Sequence, residues 1–135
     1  MFAILLAGAL SVTAPVDVHV EIMIAPEQLR RGLQGHRPLD ANEGMLFVLP
    51  APEVARFWMR DMSFAIDILF LNADGRVDSL AASAPPCSGE PCATYQSQAE
   101  VTHVLEVPAG FAKRHGVAPG ARLQIDAPRH LVRVP

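Results

Sequence analysis

The stretch Phe57–Gly75, FWMRDMSFAIDILFLNADG, constrains this chain more than any other. It reads as two apolar β-strands, Phe57–Arg60 and Ala65–Leu71. The turn signal Asn72-Ala73-Asp74-Gly75 then joins the second strand to Arg76–Ala81 as a hairpin. The rest of the chain is expected to be organised around this stretch. One residue breaks the pattern. Asp67 stands among isoleucine and leucine, where an unpaired charge is costly to bury. The stretch also holds Trp58, the only tryptophan, and the methionines Met59 and Met62.

A length of 135 residues bounds the answer to one domain with a real core. Half of the residues are hydrophobic, and 12 prolines with 9 glycines call for many short elements joined by turns, which favours β architecture over a helical bundle. The formal net charge of -3 gives no electrostatic reason to expect a nucleic-acid backbone as partner. Residues 1–14, MFAILLAGALSVTA, carry no charge, and their apolar run has the length of a signal-peptide core, short of the ~20 residues a spanning helix needs. Small residues at Ala7 and Ala9, or Val12 and Ala14, give cleavage-like sites, although no basic segment precedes them. The other reading of this run is an N-terminal core strand. Export to the periplasm or medium is therefore expected, with residues 15–135 as one β-rich domain and no stable membrane insertion once the leader is lost.

Along the chain, residues 16–24 alternate with period two, placing Val16, Val18, Val20, Ile22 and Ile24 on one face and leaving His19 to solvent. Pro26 and Glu27 open a short helix over 26–33, in which Leu29 and Leu33 share a face. Residues 44–49 read as a buried strand stopped by Pro50, and 83–97 as a long ordered loop. Residues 101–107 form a further alternating strand, 110–115 a short helix, 122–125 a strand, and 130–134 an edge strand. The fold class expected is mainly β: a compact sandwich or barrel with one or two short helices.

Several segments in order carry a resemblance: Pro26-Glu27 with Arg31-Gly32-Leu33, Glu43-Gly44-Met45-Leu46-Phe47, Phe57-Trp58-Met59, Ile66-Asp67-Ile68 with Phe70, Asp74-Gly75-Arg76-Val77, and Ala84-Pro85-Pro86-Cys87 with Cys92. Together they resemble the uncharacterised bacterial and archaeal family known as domain of unknown function 192, over roughly residues 16–126. The resemblance implies a compact, β-rich, jelly-roll-like domain that is often exported and has no established biochemical role. The family's F-W-M-K-N-T stands here as FWMRDM and its P-L-D-I as AIDI. Its G-L-M followed by x-R is replaced after Gly32-Leu33 by Gln34-Gly35-His36-Arg37.

The candidate chemistry is sparse. Asp67 shares a strand face with Leu69 and Leu71, so it either meets water at a sheet end or pairs with Arg31, Arg56 or Arg60, as a structural ion pair or as part of a site. If Phe57 and Met59 face the core, Trp58 points outward with Arg60 and Met62, where it suits stacking on a ligand; core packing is the other account. Arg31, Trp58, Met59 and Asp67 are the residues assigned to a ligand cleft near the Cys87–Cys92 loop. Glu43 with Asp67 would be the acid-base pair of a carbohydrate hydrolase, and a purely structural role is the third reading. Met59 and Met62 stand at Met-x-x-Met spacing, but methionine is more often core filler and no His-rich cluster accompanies them; the five histidines form no metal or hydrolase motif, so neither a metal nor a cofactor is expected. Cys87 and Cys92 are spaced too widely for a thioredoxin-type motif and lack further zinc ligands. In an exported chain they read as a local disulfide, in preference to Cys87 acting as a nucleophile with His103. The function expected is the binding of a small ligand or an envelope component.

Overall fold

A computed structural model describes residues 14–135, so the leader expected over residues 1–14 lies, except for Ala14, outside the described residues. Alternation of Val16, Val18, Val20 and Ile22 makes β1 (Val16–Met23), in which Val18 and Val20 are buried while His19 and Glu21 stay exposed. After it come α1 (Pro26–Arg31), β2 (Glu43–Glu53), β3 (Arg56–Trp58) and β4 (Ile66–Leu71). The chain continues through β5 (Val77–Ala84), β6 (Thr94–Gln96), β7 (Val101–Pro108), α2 (Phe111–Arg114), β8 (Gln124–Asp126), a single 3-10 turn and β9 (Leu131–Val134). Seven strands form one curled sheet in the order β5-β4-β7-β2-β1-β9-β8, while β3 and β6 make a separate two-stranded ribbon. The mainly β domain with short helices expected from the sequence is thus realised as a half-barrel.

All six residues of β4 are buried, and the sheet separates two apolar cores. On one face Val18, Leu46, Leu69, Leu105 and Phe111 pack together under α2. On the other, Met45, Phe47, Ile68, Phe70 and Val104 meet Leu33 and Met59. The sheet face occupied by each side chain follows from its parity along the strand. Glu106 lies opposite Met45 and Ile68, on the second face, and Asp67 lies with Leu69 on the first.

Three local expectations are corrected. Pro50 does not stop β2, which runs on to Glu53; pairing with β7 breaks between Val48 and Glu53, so Pro50 and Pro52 sit in an irregularity where no ladder N–H is required. The segment read as one loop contains β6, which pairs with β3 and sets Trp58 opposite Thr94. The C-terminal strand β9 is not an edge, because it lies between β1 and β8. Gly75 closes the predicted turn with φ +78, and a Cβ there would collide with the Leu123 carbonyl, so the Asp74-Gly75 pair is turn chemistry.

Candidate functional site

Short helix α1 has no side chain to cap its N-terminus at Ala25; instead Gln28 Oε1 accepts from the amides of Ile24 and Ala25, each at 3.1 Å. Its end is fixed by Gly32, whose α-carbon lies against the Phe47 ring. This places α1 over the second core and leaves a cleft of about 340 Å³ between the helix and the ribbon strand β3. Arg30, Arg31, Arg56 and Arg60 line it together with Trp58, while Phe47, Phe57 and Glu106 lie towards the sheet. Phe57 packs edge-on against Phe47 and Phe70, at centroid distances of 5.0 and 6.1 Å, which turns its neighbour Trp58 outward. Trp58 is 46% exposed, and the Arg60 guanidinium stacks 4.1 Å from its ring centroid. Arg60 also pairs with Glu90 at 2.6 Å, and its buried Nε finds no acceptor among the described residues. Arg30, Arg31 and Arg56 form no salt bridge among the described residues.

Glu106 is the residue that sequence reasoning missed. It is 5% exposed, it lies on the central strand β7, and burial alone pushes its carboxyl up from 4.5 to about 8. At neutral pH it is therefore an uncharged acid, a hydrogen-bond donor facing a cleft of guanidinium groups. Its burial follows from the strand order, with β7 between β4 and β2. Alternation in Val101–Val107 pointed the other way.

Asp67 is fully buried but lies on the opposite face of the sheet from this cleft. It meets neither water nor a cation. Its Oδ1 accepts from the amides of Ser83 (2.8 Å) and Gly110 (3.1 Å), and its Oδ2 from Ala112 (2.9 Å). Ser83 sits at φ +48 where β5 shifts register against β4, so the carboxylate takes an amide that the ladder cannot, while the other two bonds fasten the start of α2. Arg31 and Trp58 thus share a cleft. Met59, 2% exposed, packs in the core behind it and borders the hollow at Cys87 and Pro85. Glu43 pairs with Arg37 through two bonds of 2.8 Å, which hold its carboxyl below the usual range. By strand parity Glu43 and Asp67 face opposite sides of the sheet, so they do not form an acid-base pair. Among the described residues no group of three His, Cys, Asp or Glu side chains could hold a metal ion, and no helix is long and apolar enough to cross a membrane.

Cys87 and Cys92 form a disulfide with a Cα–Cα distance of 5.5 Å. Cys87 N donates to Met59 O at 3.1 Å, and the loop carries Glu90, so the bridge supports the Arg60–Glu90 pair at the mouth of the cleft. A loop this short restricts the unfolded chain modestly, about 2 kcal/mol in the chain-entropy model. Reduction is expected to shift Trp58 emission, by releasing Arg60, while leaving the thermal transition cooperative. Global unfolding on reduction would show that the core depends on the bridge.

Taken together, the molecule is a small half-barrel β-domain with one cationic, aromatic-walled cleft backed by a buried acid. The model of the family domain of unknown function 192, described as "Uncharacterized ACR", matches residues 10–125, and the chain belongs to this family. Two solved structures are similar. A Sinorhizobium meliloti protein described as a "putative transcription regulator" is 31% identical, with a TM-score of 0.74 over 82% of this chain and 93% of that one. A Novosphingobium aromaticivorans protein of unknown function is 32% identical, with a TM-score of 0.71 over 76% of this chain and 71% of that one. No curated protein matches the chain.

Proposed function

We propose that this is an exported binding domain that takes a small ligand in the cleft between α1 and β3, with Arg31 and Trp58 as its contact residues. The observation that carries this reading is Trp58 itself. A tryptophan nearly half exposed, braced by Arg60 and facing Arg31 across a cleft of about 340 Å³, offers stacking surface that folding does not use. Met59 supports the site from behind, and Asp67 contributes to it only by holding the sheet. The Cys87–Cys92 bridge supports an oxidising location, periplasmic or secreted, in line with the apolar leader. The regulator description belongs to the Sinorhizobium protein; the net charge of -3 on this chain favours a small-molecule ligand over nucleic acid.

Trp58→Ala tests the proposal. Because the side chain is exposed, the substitution is expected to cost under about 1 kcal/mol of stability. In native mass measurements on protein isolated from the cells that make it, the wild type is expected to retain added mass that the variant loses. A loss of several kcal/mol would return Trp58 to a structural role, and equal retention by both proteins would move the site elsewhere.

A further inference from the structure

We infer that Glu106 and the cleft arginines form a carboxylate-binding site: the ligand is a small organic acid with an apolar or aromatic body. Its carboxylate enters towards Glu106, and its body lies against Trp58. This rests on the cleft reading above and assigns the ligand class.

The charges in the cleft select the sign of the ligand. Four guanidiniums line it, one of them countered by Glu90, and the single acid among its lining residues is the buried Glu106. A cationic ligand would meet like charge at the mouth. A neutral one would leave three arginines without a counter-charge. An anion is drawn in although the chain as a whole is negative.

Glu106 then decides where the anion binds. Burial raises its pKa, and among the described residues no arginine forms an ion pair with it. A carboxylate placed between them accepts the Glu106 O–H on one side and arginine N–H groups on the other, and a charge-assisted O–H···O⁻ bond of this kind is among the stronger hydrogen bonds. The unpartnered Arg60 Nε is a further donor at the cleft wall. The same carboxylate would be repelled by ionised Glu106. The strands flanking Glu106 present Met45 and Ile68 beside it, and the other charged groups lining the cleft are Arg30 and Arg31 of α1, Arg56 of β3, and Arg60 just beyond it. Since arginine stays protonated, Glu106 is the one lining group that titrates near neutrality.

Trp58, the only tryptophan, reports on the cleft directly. The test titrates the purified protein with 3-phenylpropanoate, 3-phenylpropanamide and 3-phenylpropylammonium at pH 7, reading Trp58 emission, and repeats the acid titration at pH 9.5. The acid is expected to bind at least about tenfold tighter than the other two, since the charge-assisted bonds are made only by the anion. Loss of the Glu106 proton is expected to weaken it about thirtyfold at pH 9.5 by linkage. Glu106→Gln keeps a neutral donor and is expected to bind with no such pH dependence. If that variant does not fold, the wild-type profile decides alone. Amide binding as tight as the acid, a flat wild-type profile, or no saturable change with the acid would each overturn the inference. Tight amide binding would leave the cleft reading intact, and the Trp58→Ala comparison judges that reading separately.

Discussion

Asp67→Ala is expected to destabilise the domain by about 4 kcal/mol, because the buried amide of Ala112 and the partly buried amides of Ser83 and Gly110 lose their acceptor at once, and an orphaned buried donor costs about 1–3 kcal/mol. The loss is expected to spread, since these amides belong to the irregular end of β5 and to the start of α2, which the carboxylate ties to β4 from two directions. Asp67→Asn keeps one acceptor and loses the charge, so a smaller cost of about 2 kcal/mol is expected. Chemical denaturation of the two variants checks both values. A near-neutral Asp67→Ala would mean that water reaches these amides, and the residue would become available as a site.

Stability against pH carries the second large effect. Glu106 moves from 4.5 to about 8 on folding. Between those values the folded chain holds one proton more than the unfolded chain, so stability falls as pH rises from about 4.5 to about 8 and is level above. A tenfold change in a protonation equilibrium is worth about 1.4 kcal/mol, so the loss accumulated across the window is about 3–5 kcal/mol. Glu106→Gln removes the titration. The variant is expected to gain on the wild type progressively over that range, with the greatest difference at pH 8 and above. Half-buried His103, whose pKa is lowered by desolvation, works in the opposite sense near its ordinary value, and the Asp17 and Glu43 pairs act only at lower pH. Subtracting the variant's curve from that of the wild type isolates Glu106. Parallel curves would show that Glu106 keeps an ordinary carboxylate pKa.

These two acids show how far the sequence could be read. The alternation in Val16–Ile22, the apolar run of β4 and the Asn72–Gly75 turn each depend on local spacing, and each appears in the fold where expected. Asp67 was legible as an anomaly, and its strand face with Leu69 and Leu71 was placed correctly. Its partners were not legible, because backbone amides from Ser83, Gly110 and Ala112 leave no mark in side-chain identity. Glu106 was hidden by its setting. An acid in an alternating strand ordinarily faces water, and only the strand order, with β7 between β4 and β2, shows that this one has no wet side. The same nonlocality turned β9 from an edge into an interior strand. Parity with Phe57 and Met59 gave an outward Trp58 as one of two readings, beside core packing; that Arg31 lines the same cleft depended on how α1 folds back over Phe47.

On the proposed function, the cleft between α1 and β3 is where this protein meets its ligand. The most direct measurement is NMR on the labelled protein, titrated with a small-molecule extract of the cells that make it, following the Trp58 indole and the arginine side-chain resonances. The expected result is saturable shifts confined to Trp58, Arg31, Arg56 and Arg60. Shifts gathering instead around Arg122 and Arg133, which line a separate hollow of about 690 Å³, would contradict it.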